Sequence, residues 1–388
     1  MSQDKYPNLF SKGKIGNRTL INRFISQAME GNDGDPGGVV SERAIERYRK
    51  LAAGHWGVVV VEALAVDSSS LARVNQMVLN RKNLDGFKTL VIEFKKIAPD
   101  TILLFQLTHS GRKAVKSHSQ ATALYNPAEG EKLLSTDEIE LIRKAFIEAS
   151  ILAEEAGADG VDFKMCHGYF GCEMLRPGNV RDDKWGGSFE NRTHFLRESL
   201  PEIRSSLKTR DFILGSRISV YEGIRGGCGT AGPDEIIEDL TEMKKVVELL
   251  EELGMDYVNI SAGIPGVTSE ITRPTPASSY LYLHQMRYAG WAKSFVSDMT
   301  VFGSAYSILK EGALSMADEN IRKGYTDCVG WGRQSFADPA FPEKVKTDDE
   351  VNYCTACSGC TKLMVSQKND GCILFNGYYK NLWKNRSK

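Results

Sequence analysis

Four cysteines near the end of the sequence have the spacing of a metal centre. Cys354, Cys357 and Cys360 follow one another as C-x2-C-x2-C, and Cys372 comes after eleven further residues. Three thiolates on one turning loop and a fourth from a distance can each bind one corner of a cubane, which predicts a 4Fe-4S cluster. Four thiolates also suit tetrahedral zinc, although zinc ribbons usually pair two separated C-x2-C knuckles. The iron–sulfur cluster is therefore the main hypothesis, and zinc is the alternative.

The charge and the remaining cysteines narrow the class of protein. Lys and Arg number 49 against 50 Asp and Glu, so the net charge is −1 and no broad basic surface is available for nucleic acid. The first residues, MSQDKYPNLFSKGK, lack the apolar core of a signal peptide, and no run of about 18 apolar residues occurs. A soluble cytoplasmic protein without a membrane partner is expected. Four further cysteines lack ligand spacing and are predicted to be buried thiols: Cys166, Cys172, Cys228 and Cys328.

The elements that must position a site follow a repeated pattern. Short runs rich in Val and Ile alternate with amphipathic stretches of helical period, which is typical of β-α units. Eight runs are predicted to be strands: Phe24 to Gln27, Gly57 to Glu62, Thr101 to Leu107, Gly160 to Lys164, Phe212 to Ile218, Tyr257 to Ser261, Thr300 to Phe302 and Cys328 to Trp331. No Gly-rich dinucleotide turn follows the first strand, which favours a closed TIM (β/α)8 barrel over an open doubly wound sheet. We expect the barrel over residues 1–342 and a small cysteine-rich iron–sulfur segment over residues 343–388.

In such barrels the chemistry lies at the carboxyl ends of the strands. Polar residues at the predicted strand ends are therefore candidate site residues: Gln27, Glu30, Glu62, Gln106, His109, Lys164, His167, Arg217, Ser261, Gly303 and Arg333.

A family resemblance rests on motifs that occur in order along the chain. They are KIGNRTLINRF, FQLTHSGR, AEEAGADGVDFKMCHGYFGCEMLRPGNVRDDKWGGSFENR and VGWGRQSFADP. From about Leu9 to Asn376 the chain resembles the old yellow enzymes, in the iron–sulfur branch that contains 2,4-dienoyl-CoA reductase and trimethylamine dehydrogenase. The resemblance implies an eight-stranded barrel with FMN at its mouth.

The resemblance also implies which residues contact FMN. Gln106 matches the position whose amide meets the pyrimidine edge of the flavin, and Arg217, expected on the sixth strand, matches the cation near flavin N1. The phosphate is expected at Gly303 with Ser304 and at Gly332 with Arg333. Further cofactor contacts are predicted around the first two strand ends, at Ala28, Met29, Glu30 and Glu62.

Three residues after the fourth strand match the part of the family that touches substrate. Two side chains three residues apart donate hydrogen bonds to a carbonyl there, which matches Lys164 and His167, and Tyr169 matches a proton donor. Lys164 replaces the usual histidine, so it either binds the substrate or forms a structural ion pair. Glu30 replaces threonine, cysteine or histidine; it either pairs with a cation such as Lys164 or is a solvated loop acid.

These residues predict an FMN-dependent ene-reductase that reduces the C=C bond of an α,β-unsaturated carbonyl compound: an enoate, an enoyl thioester or an enone. One alternative is an amine demethylase or dehydrogenase of the trimethylamine dehydrogenase type. The resemblance implies that such an enzyme attaches its flavin through a cysteine near the end of the first strand. No cysteine precedes Cys166, so the flavin of this alternative would be non-covalent. Another alternative is an electron-transfer subunit. The loop from Gly263 to Pro276, expected after the seventh strand, should shape the pocket. It lacks the histidine of a close dienoyl-CoA reductase.

The electron donor and the subunit arrangement are open. The chain is either a natural short form or part of a longer protein. No G-x-G-x-x-G motif follows Cys372 in the given sequence. Electrons are therefore expected from a ferredoxin, a flavodoxin or a reductase subunit through the cluster, or directly from NAD(P)H. His109 and Arg112, in the THSGR motif, are expected near the ligand or at an edge between subunits of a homo-oligomer.

Overall fold

Eight apolar runs form one closed barrel of parallel strands in the computed structural model, which describes residues 2–385. The barrel strands are β1 Phe24–Ser26, β2 Val58–Ala65, β3 Ile102–Thr108, β4 Gly160–Met165, β5 Ile213–Ser219, β6 Tyr257–Ser261, β7 Thr300–Gly303 and β8 Cys328–Trp331. Each strand pairs with the next in sequence, and β8 closes the barrel on β1 with Val329 opposite Phe24. The predicted TIM (β/α)8 barrel is confirmed.

Helices follow the strands and cover the outside of the barrel. The main ones are α1 Glu42–Ala52, α2 Leu84–Ile97, α3 Thr136–Ala156, α4 His194–Ser206, α5 Thr241–Glu252, α6 Tyr282–Lys293, α7 Gly312–Arg322 and α8 Phe341–Thr347. The third begins at a capping box in which Ser135 and Glu138 satisfy each other's backbone N–H groups. It ends at Gly157, whose φ of 89° lies in the left-handed region that glycine adopts without steric cost.

The amino end of the barrel is closed by a β-hairpin. Strands Gly13–Ile15 and Arg18–Leu20 pair in antiparallel fashion and bring Ile15 and Leu20 into the barrel interior, where both are fully buried. They pack with apolar residues that point inward from the strands: Ile25, Val58, Val60, Ile102, Leu104, Ile213, Tyr257, Phe302 and Cys328. Burying a side chain of this size stabilises the fold by about 1.5–3 kcal/mol. Side chains therefore fill the amino end of the barrel interior.

Two positions lie one strand earlier than expected. Counted from Phe24, Arg217 belongs to the fifth strand, β5, rather than the sixth. The loop from Gly263 to Pro276 likewise follows β6 rather than the seventh strand. Both remain at the carboxyl end of the barrel.

The cysteine-rich segment packs against the loop that follows β1. Asn32 Nδ2 donates to the carbonyls of Gln367 at 3.0 Å and Lys368 at 3.1 Å, and Asp370 N donates to Gly31 O at 2.7 Å. The segment contains the helices Gly359–Val365 and Gly377–Lys384. The domain boundary at residue 342 stays a prediction; it falls inside α8. Within residues 2–385, no helix is both long enough and apolar enough to cross a membrane.

Candidate active site

A cavity of about 540 Å³ opens at the carboxyl ends of the barrel strands. It collects most of the side chains predicted for the flavin and the substrate. Those that line it are Ala28, Met29, Glu30, Gln106, Lys164, His167, Tyr169, Arg217, Ser304, Gly332 and Arg333.

Buried amides and one carboxylate, Asp162, bond the cavity residues Gln27 and Gln106. Gln106 Nε2 donates to Asp162 Oδ1 at 2.7 Å, and Tyr257 OH donates to Asp162 Oδ2 at 2.6 Å. Burial raises the pKa of Asp162 to about 6. Because its NH2 group is committed to Asp162, the Gln106 amide has a fixed orientation. Beside this group, Gln27 and Asn259 exchange amide hydrogen bonds of 3.2 and 2.7 Å.

His167 is held in an unusual backbone conformation by two serines. Its φ of 63° lies in the left-handed region, which costs about 1–3 kcal/mol for a residue with a Cβ. Its backbone N–H donates to Ser219 Oγ at 2.9 Å, and its Nε2 lies 2.8 Å from Ser261 Oγ. Burial, followed by the charges of Arg217 and Lys164, holds the pKa of His167 well below its usual value, so the ring is neutral.

The same serine links His167 to Arg217. Arg217 Nη2 donates to Ser261 Oγ at 3.3 Å, so the serine's own hydrogen is available to donate to His167 Nε2. A His167 ring whose Nε2 accepts from Ser261 carries its proton on Nδ1 and is then a neutral Nδ1–H donor.

Glu30 joins three other side chains that line the cavity. Its Oε1 lies 2.7 Å from Lys164 Nζ and accepts a 2.9 Å hydrogen bond from Tyr169 OH. Its Oε2 lies 2.6 Å from Arg73 Nη2, and the Lys164 ammonium stands 3.3 Å from the centre of the Tyr169 ring. Of the two hypotheses for Glu30, the ion pair with Lys164 is the one found. Arg73 was not anticipated, because it lies in a loop after β2 that carries no recognisable motif.

Charges set the protonation of this group. Burial opposes ionisation of Glu30, but Arg73 and Lys164 together hold its pKa far below the usual range. Burial likewise opposes the Lys164 ammonium, while Glu30 raises the pKa of Lys164 above its usual value. Burial and the Glu30 charge raise the pKa of Tyr169, so its phenol keeps its proton.

Two predicted cofactor residues are not among those that line the cavity. Glu62 lies behind the loop after β1, where its Oε2 accepts a 3.0 Å hydrogen bond from Gly31 N. Burial, reinforced by Asp33, raises the pKa of Glu62 to about 8. The N–H of Gly303 donates to Thr326 Oγ1 at 2.8 Å and is therefore already occupied. Direct contact of either residue with FMN stays a prediction.

The four predicted cluster cysteines surround a smaller cavity beside the first. Cys354, Cys357, Cys360 and Cys372 line it together with Arg333, and both Cys360 and Arg333 also line the main cavity. Within residues 2–385, no three of the four sulfur atoms lie within 4.8 Å of one another. Four thiolates on one tetrahedral zinc ion would be only about 3.8 Å apart at a Zn–S distance of ~2.3 Å.

The other four cysteines are buried, as predicted. Cys172 Sγ lies 3.9 Å from Cys228 Sγ and 3.1 Å from Glu222 Oε1. Both oxygens of Glu222 accept hydrogen bonds from Arg176, at 2.7 and 3.0 Å, so a guanidinium already neutralises this carboxylate.

Three relatives with assigned activities are longer than this chain. An NADH oxidase from Thermoanaerobacter brockii is 28% identical, and the match covers 92% of this chain and 54% of that protein. A cinnamate reductase from Clostridium sporogenes is 26% identical, with 92% and 56% covered. An N,N-dimethylglycine/sarcosine dehydrogenase from Chromohalobacter salexigens is 25% identical, with 91% and 50% covered. This chain spans about half the length of these relatives.

Structural and family comparisons agree on the barrel. A complex of 2-naphthoyl-CoA reductase with 2-naphthoyl-CoA superposes with a TM-score of 0.82 at 25% identity, over 97% of this chain and 58% of that one. Residues 8–352 match the family model described as NADH:flavin oxidoreductase / NADH oxidase. The chain therefore belongs to the NADH:flavin oxidoreductase / NADH oxidase family, a family of FMN-dependent oxidoreductases.

Proposed function

We propose that the protein is an ene-reductase that reduces the C=C bond of an α,β-unsaturated carbonyl compound. One observation carries the proposal: a neutral hydrogen-bond donor, His167, and a phenol that stays protonated, Tyr169, line the same cavity as the cation Arg217. Reduction of such a bond requires a donor at the carbonyl oxygen and a proton for the α-carbon.

The residues of the cavity fit FMN. Arg217 Nε is buried and has no hydrogen-bond partner within residues 2–385, so a cationic donor is available for an electron-rich ring edge. The orientation of Gln106 fits recognition of a pyrimidine edge. Gly332 and Arg333 combine a residue without a side chain and a guanidinium, which suits a phosphate. Ser304 lines the same cavity, and its hydroxyl bonds Gln27 and Asn259. When bound, FMN supplies a hydride from N5.

His167 would polarise the substrate. Its Nδ1–H donates to the carbonyl oxygen, which makes the β-carbon electron-poor and stabilises negative charge that develops on oxygen. Ser261 and Arg217 keep this proton on Nδ1. Because the ring is neutral, it donates without losing its proton.

Tyr169 would supply the proton for the α-carbon. Glu30 holds the hydroxyl at 2.9 Å and raises its pKa, so the phenol is protonated when substrate binds. The phenolate left after proton transfer faces two cations, Lys164 and Arg73, which offset its charge. Lys164 therefore acts through its ion pair with Glu30 and its contact with the Tyr169 ring.

The four clustered cysteines would hold a 4Fe-4S cluster. Their side chains line one cavity, and thiolates are the ligands that such clusters use. Cys360 and Arg333 line both cavities, so electrons that enter at the cluster have a short route to the flavin site. We propose that a separate ferredoxin, flavodoxin or reductase delivers them, with direct reduction by NAD(P)H as the competing route.

To test this function directly, the protein is purified anaerobically in the presence of FMN and iron, and its cofactor content and turnover are measured. The expected result is one FMN and four iron atoms per chain, with turnover of enones or enoates when reduced methyl viologen supplies electrons. Turnover of tertiary amines with no turnover of enones would replace the proposal with an amine dehydrogenase. Rapid cycling of the flavin with no turnover of either class would indicate an electron-transfer subunit.

The electron route has its own measurement. Anaerobic stopped-flow spectroscopy should show slow flavin reduction by NADH or NADPH alone and fast reduction by a reduced ferredoxin or flavodoxin. Fast reduction by NADH alone would refute the separate donor.

A further inference from the structure

Six cationic side chains line the main cavity: Arg73, Lys113, Lys164, Arg217, Arg273 and Arg333. Glu30 pairs with two of them, Arg73 and Lys164. Two more, Arg217 and Arg333, are accounted for by the FMN proposed above. Two cations, Lys113 and Arg273, are left without a role.

Neither remaining cation is neutralised in the hydrogen bonds described for it. Lys113 Nζ donates to the carbonyl of Pro265 at 3.3 Å. Arg273 Nη1 donates to Thr361 Oγ1 at 3.2 Å, and its Nη2 lies 3.8 Å from Met364 Sδ. A carbonyl, a hydroxyl and a thioether carry no charge. Glu270 and Asp370 also line the cavity, and the Arg273 charge acts on Asp370. No ion pair with either acid is described for Lys113 or Arg273 within residues 2–385, so both cations remain available to an anion.

Lys113 lies against the turn that carries the two substrate-facing residues. A Cβ built on Gly168 would lie 3.3 Å from Lys113 Cε, and Gly168 separates His167 from Tyr169. Arg273 belongs to the loop after β6 that also contains Pro265, the partner of Lys113. The Arg273 charge also acts on His167, whose pKa it helps to lower. An anion bound to either cation would therefore lie near the His167 ring.

The surroundings of Lys113 do not offset its charge. Burial and the Arg176 charge lower the pKa of Lys113, and the nearby Glu222 is already bound through both oxygens by Arg176. A partly buried cation of this kind is destabilised until an anion binds beside it.

We propose that the substrate is an α,β-unsaturated carboxylate and that Lys113 and Arg273 bind its carboxylate. This inference rests on the proposed ene-reductase function. It adds a site for a charged group and excludes neutral enones as the preferred substrates.

The chemistry of an enoate requires this charge. A hydride from reduced FMN adds to the β-carbon, the π pair moves toward the carboxylate, and Tyr169 supplies a proton to the α-carbon. The carboxylate itself is unchanged at the end, and reduced FMN provides both electrons. Between the two transfers the carboxylate carries a second negative charge, whereas an enone would carry only one. Two cations beside His167 stabilise that extra charge.

A thioester of coenzyme A also carries negative charge, but on phosphates at the far end of a long arm. Lys113 lies beside the turn that holds His167 and Tyr169, at the reacting end of the substrate. The position of the cation therefore favours a carboxylate.

Matched substrates test the site. With reduced methyl viologen as donor, the holoenzyme should reduce crotonate with a higher kcat/KM than crotonamide or crotonyl-CoA. Lys113→Gln should lower kcat/KM for crotonate by roughly 10–100-fold, as expected for a lost charged hydrogen bond, and leave crotonamide within about threefold. Arg273→Gln should act in the same direction. Lys116→Gln, an exposed lysine of the same segment, is the control and should change neither substrate.

The outcomes separate the two proposals. Equal losses for crotonate and crotonamide in Lys113→Gln, or a preference for crotonyl-CoA, would overturn the carboxylate site while leaving the ene-reductase intact. Failure to reduce all three compounds and the enones of the first test would refute the ene-reductase itself. Calorimetry with butyrate and butyramide then decides the anion site alone: butyrate binding that Lys113→Gln weakens supports it, and equal binding by the variant overturns it.

Discussion

Glu30 and Glu62 are two buried glutamates that flank Gly31 in space, but Glu30 is ionised and Glu62 is neutral. Glu30 faces two cations and a phenol donor, and its pKa is far below the usual range. Glu62 accepts one backbone hydrogen bond and shares the cation Arg47 with Asp33, and burial raises its pKa to about 8. Burial is common to both, so the number of opposite charges within reach decides which carboxylate ionises. The ionised one faces the cavity, and the neutral one supports the loop behind it.

The largest effect is expected from Glu30→Gln. This change leaves Arg73 and Lys164 buried without a carboxylate, and breaking a buried ion pair in this way costs about 3–5 kcal/mol. Urea unfolding at neutral pH measures it. The exposed pair of Glu46 with Lys50 provides the control, because Glu46→Gln should cost less than about 1 kcal/mol.

The same glutamate predicts a pH dependence. The folded pKa of Glu30 is lowered, so its stabilisation is present above the unfolded pKa of about 4.3 and is lost as pH falls below that value. Glu30→Gln should flatten this acid limb of the stability curve. An unchanged acid limb, with a loss at neutral pH below about 1 kcal/mol, would contradict the buried charge network.

Glu62→Gln should have the opposite pH signature. The folded pKa of about 8 exceeds the unfolded value of about 4.3, so folding takes up a proton between them and stability falls as pH rises through that window. Glutamine mimics the protonated acid and removes this loss. The variant should gain about 2–4 kcal/mol relative to the parent between about pH 5 and pH 8, measured by urea unfolding at several pH values. A difference that does not change with pH would show that Glu62 is ionised in the fold.

Sequence patterns predict the barrel, but they predict only part of the contrast between Glu30 and Glu62. Strand periodicity predicts all eight strands, because each is a short apolar run between polar turns. Glu62 was expected at the end of β2, but the strand continues to Ala65 with a register shift between Val61 and Leu64, which leaves Glu62 inside the strand. Arg73 and Arg273 lie in loops without motifs, and Lys113 directly follows the FQLTHSGR motif, at the end of the 3-10 helix Gly111–Lys113. Their convergence depends on tertiary packing, which one sequence does not encode in any local pattern.

Tyr169→Phe tests whether Tyr169, which bonds the ionised Glu30, delivers the proton to the α-carbon. Loss of a general acid lowers turnover by about 10²-fold or more, whereas reduction of the flavin should be unchanged. Single-turnover measurements of the two half-reactions separate these steps. Tyr221→Phe removes a phenol that bonds only the carbonyl of Ile236 in the described contacts and should leave both steps unchanged. Equal turnover in Tyr169→Phe would move the proton source to solvent.

The smallest effect is expected at Ser261, which lies between Arg217 and the neutral His167 ring. Ser261→Ala removes the hydroxyl that links Arg217 to His167 Nε2, so the imidazole proton is no longer confined to Nδ1. Turnover should fall roughly tenfold, near the value of one neutral hydrogen bond of about 1 kcal/mol, and Ser261→Thr should restore it because the hydroxyl returns. Nitrogen NMR of labelled histidines reports the tautomer directly, and the chain contains only 6 of them. If Ser261 is only structural, Ser261→Ala should lower stability without moving the His167 nitrogen shifts. If Ser261 holds the proton on Nδ1, the shift of Nε2 in Ser261→Ala should move toward that of a protonated nitrogen. Unchanged shifts with unchanged turnover would leave His167 oriented by its backbone alone, through the 2.9 Å hydrogen bond from its N–H to Ser219 Oγ.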